Sequence, residues 1–191
     1  APDDTALLAM LTLTPEAILD GTETSATLTW NFNSGGETFD YLATGETLIL
    51  TYTVQATDDD GTPLSDTETV TITITGTNDA PVITNGPDAV ALDETDAALT
   101  STGMLTVMDV DTTDVVTASG TLAVTGTSNR MDSAAPDDTA LLAMLTLTPE
   151  EILDGTETSA TLTWNFNSGA ETFDYLATGE TLILTYTVQA T

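Results

Sequence analysis

Residues 1–57 of this chain recur almost unchanged as residues 135–191, and no other feature constrains the fold as strongly. The offset of 134 (135 − 1) is the period of a tandem repeat. One period contains the segment 58–134 once, so we expect an excised piece of a repeat array whose complete unit begins near Ala80 and runs past Thr191. The two copies differ only at Ala17→Glu151 and Gly36→Ala170.

The domain boundary is predicted at residues 76–81, which read Gly-Thr-Asn-Asp-Ala-Pro and interrupt a strand pattern. Residues 1–79 are then the C-terminal portion of one repeat. Residues 80–191 are predicted to be the next repeat without its final strand, because residues 58–79 occur only once.

Apolar residues alternate with polar ones, mostly threonine, over several short stretches, which is the pattern of strands with one face on a core. Gly, Asn and Asp separate these stretches as turn residues do. Seven or more short strands with little helix predict an all-β sandwich. The alternating apolar residues include Ala26, Leu28, Trp30, Phe32, Leu50, Tyr52, Val54, Ala56, Val70, Ile72 and Ile74.

One short helical turn is predicted in each copy of the repeated block. Residues 14–21 place a threonine at the N-cap, Pro15 at the first helical position and a glycine at the end. In the second copy, Glu151 lies three residues after Thr148 and completes a capping box.

The tyrosines and the tryptophans each allow a structural prediction. Tyr52 lies at a position typical of the tyrosine corner of Greek-key sandwiches, in which the hydroxyl returns to upstream backbone, and Tyr41 is the competing candidate. Trp30 and its repeat Trp164 stand on an alternating face and are predicted to pack in the core rather than to form a sugar-binding surface.

The charge of the chain excludes several functions. The formal net charge is −30, with Arg130 as the single basic residue and no His or Cys. Nucleic-acid binding and anionic-membrane binding both need clustered Lys and Arg. Without His or Cys, thiol nucleophiles, Ser-His-Asp triads and zinc sites are excluded as well. Oxygen ligands for hard cations such as Ca²⁺ are what this composition provides.

Three acidic clusters are therefore candidate calcium ligands. Asp109 and Asp111 matter most, because residues i and i+2 of an extended segment share a face. The alternative is that these acids are solvated turn residues, yet the chain has no cations to neutralise them as a set. The clusters are Asp58, Asp59, Asp60 and Asp66; Asn78 and Asp79; and Asp93, Glu94, Asp109, Asp111 and Asp114.

Paired carboxylates are also the catalytic groups of glycosidases, so an enzyme active site is the alternative to a calcium site. Glycosidase chemistry needs a cleft that desolvates one acid and raises its pKa. Acids in exposed turns beside glycines provide no such environment, so we expect a protein without an active site.

The sequence resembles the VCBS-type, cadherin-like repeats of giant bacterial RTX adhesins over essentially its whole length. The resemblance rests on the junction Gly76–Ile83, the preceding strand Val70–Thr75, and the run from Phe39 to Leu48 that continues to Asp60-Gly61. It implies an immunoglobulin-like Greek-key β-sandwich, type I secretion to the bacterial cell surface, calcium at the junctions between neighbouring repeats, and an extender role that holds an adhesive region away from the cell.

The resemblance also implies a ligand set. Asn78 and Asp79 would act from the linker, Glu94 from early in the next domain, and Asp109 with Asp111 from later in it. Two departures from the cadherin-like pattern are a shorter linker, which would hold fewer ions, and the predicted helical insertion at residues 14–21.

A second hypothesis is a subunit of an extracellular filament or matrix fibre. If the second copy is without its final strand, an open sheet edge results, and a strand from another chain can pair with such an edge. The predicted partner is then a homo-oligomer formed by strand exchange.

Overall fold

The computed structural model describes residues 1–191 and divides them into two compact units, residues 1–78 and 79–191. The division falls inside the predicted junction 76–81. The strands are β1 Leu11–Thr14, β2 Thr29–Phe32, β3 Thr47–Thr57, β4 Ser65–Thr75, β5 Val82–Ile83, β6 Thr100–Met108, β7 Val115–Gly126, β8 Leu145–Thr148, β9 Glu151–Asp154, β10 Ser159–Asn167 and β11 Leu182–Ala190; the helices are α1 Asp4–Ala9 and α2 Asp138–Ala143.

The unit 1–78 contains two antiparallel strand pairs. β1 pairs with β2, and β3 pairs with β4 through eleven residues, with Thr47 opposite Thr75 at one end of the ladder. Its buried apolar cluster is small and consists of Met10, Phe39 and Leu42.

The unit 79–191 contains two sheets, with strand orders β5-β6-β10-β8 and β11-β7-β9. Both sheets contribute side chains to one buried cluster, which is the arrangement of two packed sheets. The prediction of an all-β protein is confirmed. The cluster consists of Leu105, Val107, Val116, Ile152, Leu153 and Leu162.

The predicted helical turn at residues 14–21 is wrong. In the second copy, Thr148 ends β8 opposite Thr163, and residues Glu151–Asp154 form β9, which pairs with β7. The capping box of Thr148 and Glu151 therefore does not form. The physical reason is burial, because Ile152 and Leu153 enter the core as strand residues, and this outweighs a local helix signal.

Each copy does have one short helix, but it lies earlier in the block. Asp3 caps α1 by accepting a hydrogen bond from the Ala6 backbone N–H at 2.8 Å. Asp137 caps α2 in the same way through Ala140, also at 2.8 Å. The N-cap aspartate was the available signal for these helices, and the sequence-based prediction did not use it.

Tyr52 anchors a strand to the upstream helix. Its hydroxyl donates to the carbonyl oxygen of Leu7 at 2.8 Å, and Tyr186 donates to Leu141 at 2.7 Å. The hydroxyl thus returns to upstream backbone as predicted, but the acceptor lies 45 residues away. In a tyrosine corner the hydroxyl bonds to backbone only a few residues upstream. The predicted tyrosine corner at Tyr52 is therefore wrong, because the acceptor is a more distant residue.

Burial raises the pKa of Tyr186 to about 12. The unfolded chain ionises near a pKa of about 10 and the folded unit near 12, so the unfolded state holds fewer protons between these values. We expect the free energy of unfolding of unit 79–191 to be unaffected by Tyr186 below pH 10 and to fall between pH 10 and about 12. Urea unfolding across this range measures it.

The matched variants are Tyr186→Phe and Tyr52→Phe. Tyr186→Phe loses a hydrogen bond worth about 1 kcal/mol at neutral pH, and the alkaline fall should become smaller. Tyr52→Phe changes the other unit and should leave the alkaline fall of unit 79–191 intact. An unchanged alkaline profile in Tyr186→Phe would contradict the assignment.

The two tryptophans differ in burial. Trp164 packs half-buried against the apolar cluster of its unit, and its indole N–H donates to an Asp88 carboxylate oxygen at 2.7 Å. Gly103 lies under the ring, and a Cβ there would come within 2.5 Å of it. Trp30 is 48% exposed, so the predicted core packing applies to Trp164 alone.

Neither helix could span a bilayer, because each has only six residues.

Candidate metal centre

Asp109 and Asp111 are buried at the end of β6. Asp109 is 3% exposed and Asp111 is not exposed at all. The expectation that the acids lie in exposed turns is therefore wrong for these two residues. The Asp109 side chain is held by the turn itself, because the Asp111 backbone N–H donates to Oδ1 of Asp109 at 3.1 Å. The Asp114 N–H then donates to the Asp111 carbonyl at 3.2 Å and leads the chain into β7. The Asp-x-Asp segment therefore carries two buried carboxylates, and the one of Asp109 accepts the backbone N–H of Asp111.

Two further contacts fix this turn in the unit 79–191. The Asp109 N–H donates to the Thr158 carbonyl oxygen, which precedes β10, at 3.1 Å. The backbone N–H of Asp79 donates to Oδ2 of Asp111 at 2.7 Å. Asp79 is the first residue of the unit, so the buried carboxylate of Asp111 is tied to the point where the unit begins.

The second carboxylate oxygen of Asp111, Oδ1, is buried and has no hydrogen-bond partner. Leaving a carboxylate oxygen in this state is costly, since burial removes its water without supplying a donor. The single basic side chain does not help, because Arg130 donates to Asp138 at 2.6 Å and to the Pro136 carbonyl at 2.7 Å. A bound cation would supply the missing partner of Asp111.

The donor set fits a hard cation. It offers carboxylate oxygens and no nitrogen or sulfur ligand, which favours calcium over softer metals. Asp79 and Asp114 flank the buried pair and are half-buried. No three acidic side chains are grouped at metal-binding distance anywhere in the structure. A cation at Asp109 and Asp111 would therefore have at most two carboxylate ligands, and backbone carbonyls and water would have to complete the six to eight oxygens of a calcium ion.

The structure does not place Glu94 beside Asp109 and Asp111. It is exposed and hydrogen-bonds to Asp174; its pKa is raised, first by desolvation and then by Asp174 and the charge of Asp96. Asp174 follows Phe173, which belongs to the apolar cluster that also contacts Leu99, the residue before β6. Asp109 follows the other end of that nine-residue strand, roughly 30 Å from Thr100 at about 3.3 Å per residue.

The acids of the 58–66 cluster lie in and beside the connection between β3 and β4. One carboxylate oxygen of Asp58 accepts the Leu64 N–H at 3.0 Å, and Asp66 accepts the N–H of its neighbour Thr67 at 3.0 Å. Asp60 accepts from Gly61 in the same way. These are the contacts of exposed turn-forming acids. Asp59, Asn78 and Asp93 are also exposed.

The prediction did not include Thr158 or Asp174. The Thr158 carbonyl positions Asp109, and Asp174 pairs with Glu94. A backbone carbonyl carries no sequence signal. Asp174 repeats Asp40 of the first copy, and its pairing depends on a segment that is far away in the sequence.

Comparison with protein-family models, with curated proteins and with solved structures gave no match for this chain.

Proposed function

We propose that this chain is a non-catalytic, calcium-binding extender repeat of a secreted bacterial surface adhesin. In this proposal the repeats have the cadherin-like, immunoglobulin-like Greek-key sandwich that the sequence resembles. Calcium stiffens each repeat where it joins its neighbour, and the array projects a ligand-binding region from the cell. Type I secretion and an extracellular location belong to the same proposal.

The observation that carries the proposal is the buried carboxylate of Asp111. One of its oxygens accepts the backbone N–H of Asp79, and the other is buried without a partner. A site that only served folding could lie anywhere in the core. This one is bonded to the first residue of its unit, where fixing the chain would affect the connection to the preceding residues.

The proposed ligands are the carboxylates of Asp109 and Asp111. Asp79 and Asp114 would contribute further oxygens, because the backbone N–H of each donates to Asp111. Glu94 is left out of this set because it pairs with Asp174. The ion would neutralise buried negative charge and hold the start of the unit against the turn that follows β6. Calcium binding and folding of the unit are then coupled, because the ligands assemble only in the folded state.

Calcium is expected to raise the melting temperature of the unit 79–191. At a calcium concentration a hundredfold above the dissociation constant, one site contributes about 2.7 kcal/mol. For a domain of this size each kcal/mol corresponds to about 4 °C, so the expected rise is about 10 °C. Thermal unfolding in calcium and in chelator measures it, with magnesium as the control for charge screening.

Magnesium requires a smaller, octahedral site and should give a much smaller rise at equal concentration. Equal rises in melting temperature with both ions would indicate general screening of the net charge. Identical melting temperatures in calcium and in chelator would contradict the proposal.

A further inference from the structure

The connection between β7 and α2, residues 127–137, contains the single basic side chain of the sequence, Arg130. Trypsin-like proteases bind a basic side chain in a pocket that has an aspartate at its base, and they hydrolyse the bond that follows this residue. The chain therefore offers such a protease one peptide bond, Arg130–Met131. Hydrolysis adds water across this bond and leaves a carboxylate on Arg130 and an amine on Met131.

The backbone around this bond has the character of a cleavable loop. It lies outside the helices and strands, and Met131 is 93% exposed. The Met131 N–H donates to the side chain of Asn129 at 3.1 Å. The Ala134 N–H likewise donates to the side chain of Asp132 at 2.9 Å. Exposed loops of small and polar residues are the preferred sites of proteolytic nicking, so the backbone alone does not protect this bond.

The Arg130 side chain, by contrast, is bound at both ends of its guanidinium group. Nη1 donates to the Pro136 carbonyl oxygen at 2.7 Å, and Nη2 donates to Oδ1 of Asp138 at 2.6 Å. The Arg130 side chain is 29% exposed, although that of Asp138 is 77% exposed. The two acceptors flank Asp137, the N-cap residue of α2, so the guanidinium fastens the loop to the start of the helix. We call these two bonds the Arg130 clasp.

A protease has to break the Arg130 clasp before it can cut. Its acidic pocket binds the same guanidinium that Pro136 and Asp138 hold, so the two bound states exclude one another. Hydrogen bonds from a charged donor are roughly twice as strong as neutral ones, which adds to the cost of opening the loop. Tyr175 lies beside the guanidinium as well: burial raises the pKa of Tyr175, and Arg130 partly opposes this rise.

We propose that the Arg130–Met131 bond is a gated cleavage site for trypsin-like proteases, and that the Arg130 clasp keeps it closed in the folded chain. Cleavage then requires local opening of residues 129–137. Its rate follows the population of the open state, as long as opening and reclosing are fast compared with cleavage. The inference concerns resistance to proteases and does not rest on the proposed calcium site.

Limited digestion with trypsin tests the gate. The 191-residue chain and a synthetic peptide of residues 126–136 are digested side by side, and mass spectrometry follows the products 1–130 and 131–191. We expect the bond to be cut about a hundredfold more slowly in the folded chain than in the peptide. Asp138→Ala removes one acceptor of the Arg130 clasp and should speed cleavage of the folded chain about fivefold.

Asp4→Ala is the matched control for charge. Asp4 occupies the position of Asp138 in the first copy, and each is the first residue of its helix. This variant loses the same charge and should be cut at the wild-type rate. Arg130→Lys keeps a residue that trypsin accepts, but an ammonium group cannot hold both acceptors in the geometry of the guanidinium fork. Relative to its own peptide, it should also be cut about fivefold faster than the wild type.

Cleavage of the wild-type chain as fast as the peptide would overturn the gate. Equal rates for the wild type and Asp138→Ala, or equal acceleration by Asp4→Ala, would overturn the Arg130 clasp as its cause. Urea unfolding without protease separates local opening from global unfolding. We expect Asp138→Ala to keep the free energy of unfolding of the unit 79–191, and a loss large enough to explain the faster cleavage would also overturn the clasp.

Discussion

Asp111→Asn is expected to abolish the calcium-induced rise of about 10 °C in the melting temperature of the unit 79–191. The substitution removes the charge of a side chain that is fully buried and keeps its shape. The amide oxygen can still accept the Asp79 N–H, so the fold retains its contact at the start of the unit.

The same variant should melt at or above the wild-type temperature in chelator. Without a cation the wild-type unit buries a carboxylate oxygen with no partner, and a neutral amide costs less to bury. Opposite effects in calcium and in chelator distinguish a metal ligand from a residue that only packs, because loss of packing lowers the melting temperature in both.

The measurement can be restricted to the relevant unit. The chain has two tryptophans, and Trp30 is 48% exposed in the other unit, so a Trp30→Phe background leaves Trp164 as the reporter of unit 79–191. Asp59→Asn is the control, since it removes one exposed carboxylate and should keep the full calcium effect. A full calcium effect in Asp111→Asn would contradict the site.

Leu153→Ala is expected to destabilise the unit 79–191 by about 2–5 kcal/mol. Leu153 is not exposed at all and lies in the cluster shared by the two sheets, where it is paired opposite Val116. Truncation removes apolar contact and leaves a cavity that the surrounding strands cannot fill completely. Urea unfolding followed through Trp164 gives the free energy of unfolding.

The chain contains its own control for this substitution. Leu19 occupies the same position of the first copy but is 49% exposed. Leu19→Ala should therefore change the free energy of unfolding of unit 1–78 by no more than about 0.5 kcal/mol. Similar costs for both substitutions would show that the two copies are packed alike, contrary to the structure.

The fold class could be predicted from local sequence, but the burial of Asp109 and Asp111 could not, since the acids were expected in exposed turns. Alternation of apolar residues with threonine has the period of a strand, and it remains visible whatever the partner strand is. The Asp-x-Asp spacing singled out Asp109 and Asp111 as candidate ligands, and the structure places both residues just after β6. The position of Glu94 could not be predicted, because its neighbour Asp174 is far along the chain.

The helix prediction failed for a related reason. Thr148 and Glu151 have the spacing of a capping box, yet that pattern describes only local preferences. Burial of Ile152 and Leu153 against β7 is worth more than one cap, roughly 1.5–3 kcal/mol for each side chain. The local signal was correct at Asp3 and Asp137, where no strand competes for the same residues.

Some features of the repeated block form in both copies, and others form only where neighbouring strands are present. Both copies have the capped helix, the first short strand and the tyrosine bond to the helix, because these depend on residues within the block. The second copy also forms β9, and β10 has nine residues where β2 has four.

Sequence differences do not account for this contrast. Glu151 is exposed, so its replacement of Ala17 does not create the core around β9. β9 pairs with β7 and β10 pairs with β6, and both partners come from residues 80–134, which belong to the unit of the second copy only. A strand needs a neighbour for its backbone hydrogen bonds and for its apolar face. Identical residues therefore become a buried strand or an exposed segment according to the strands that the rest of the unit supplies.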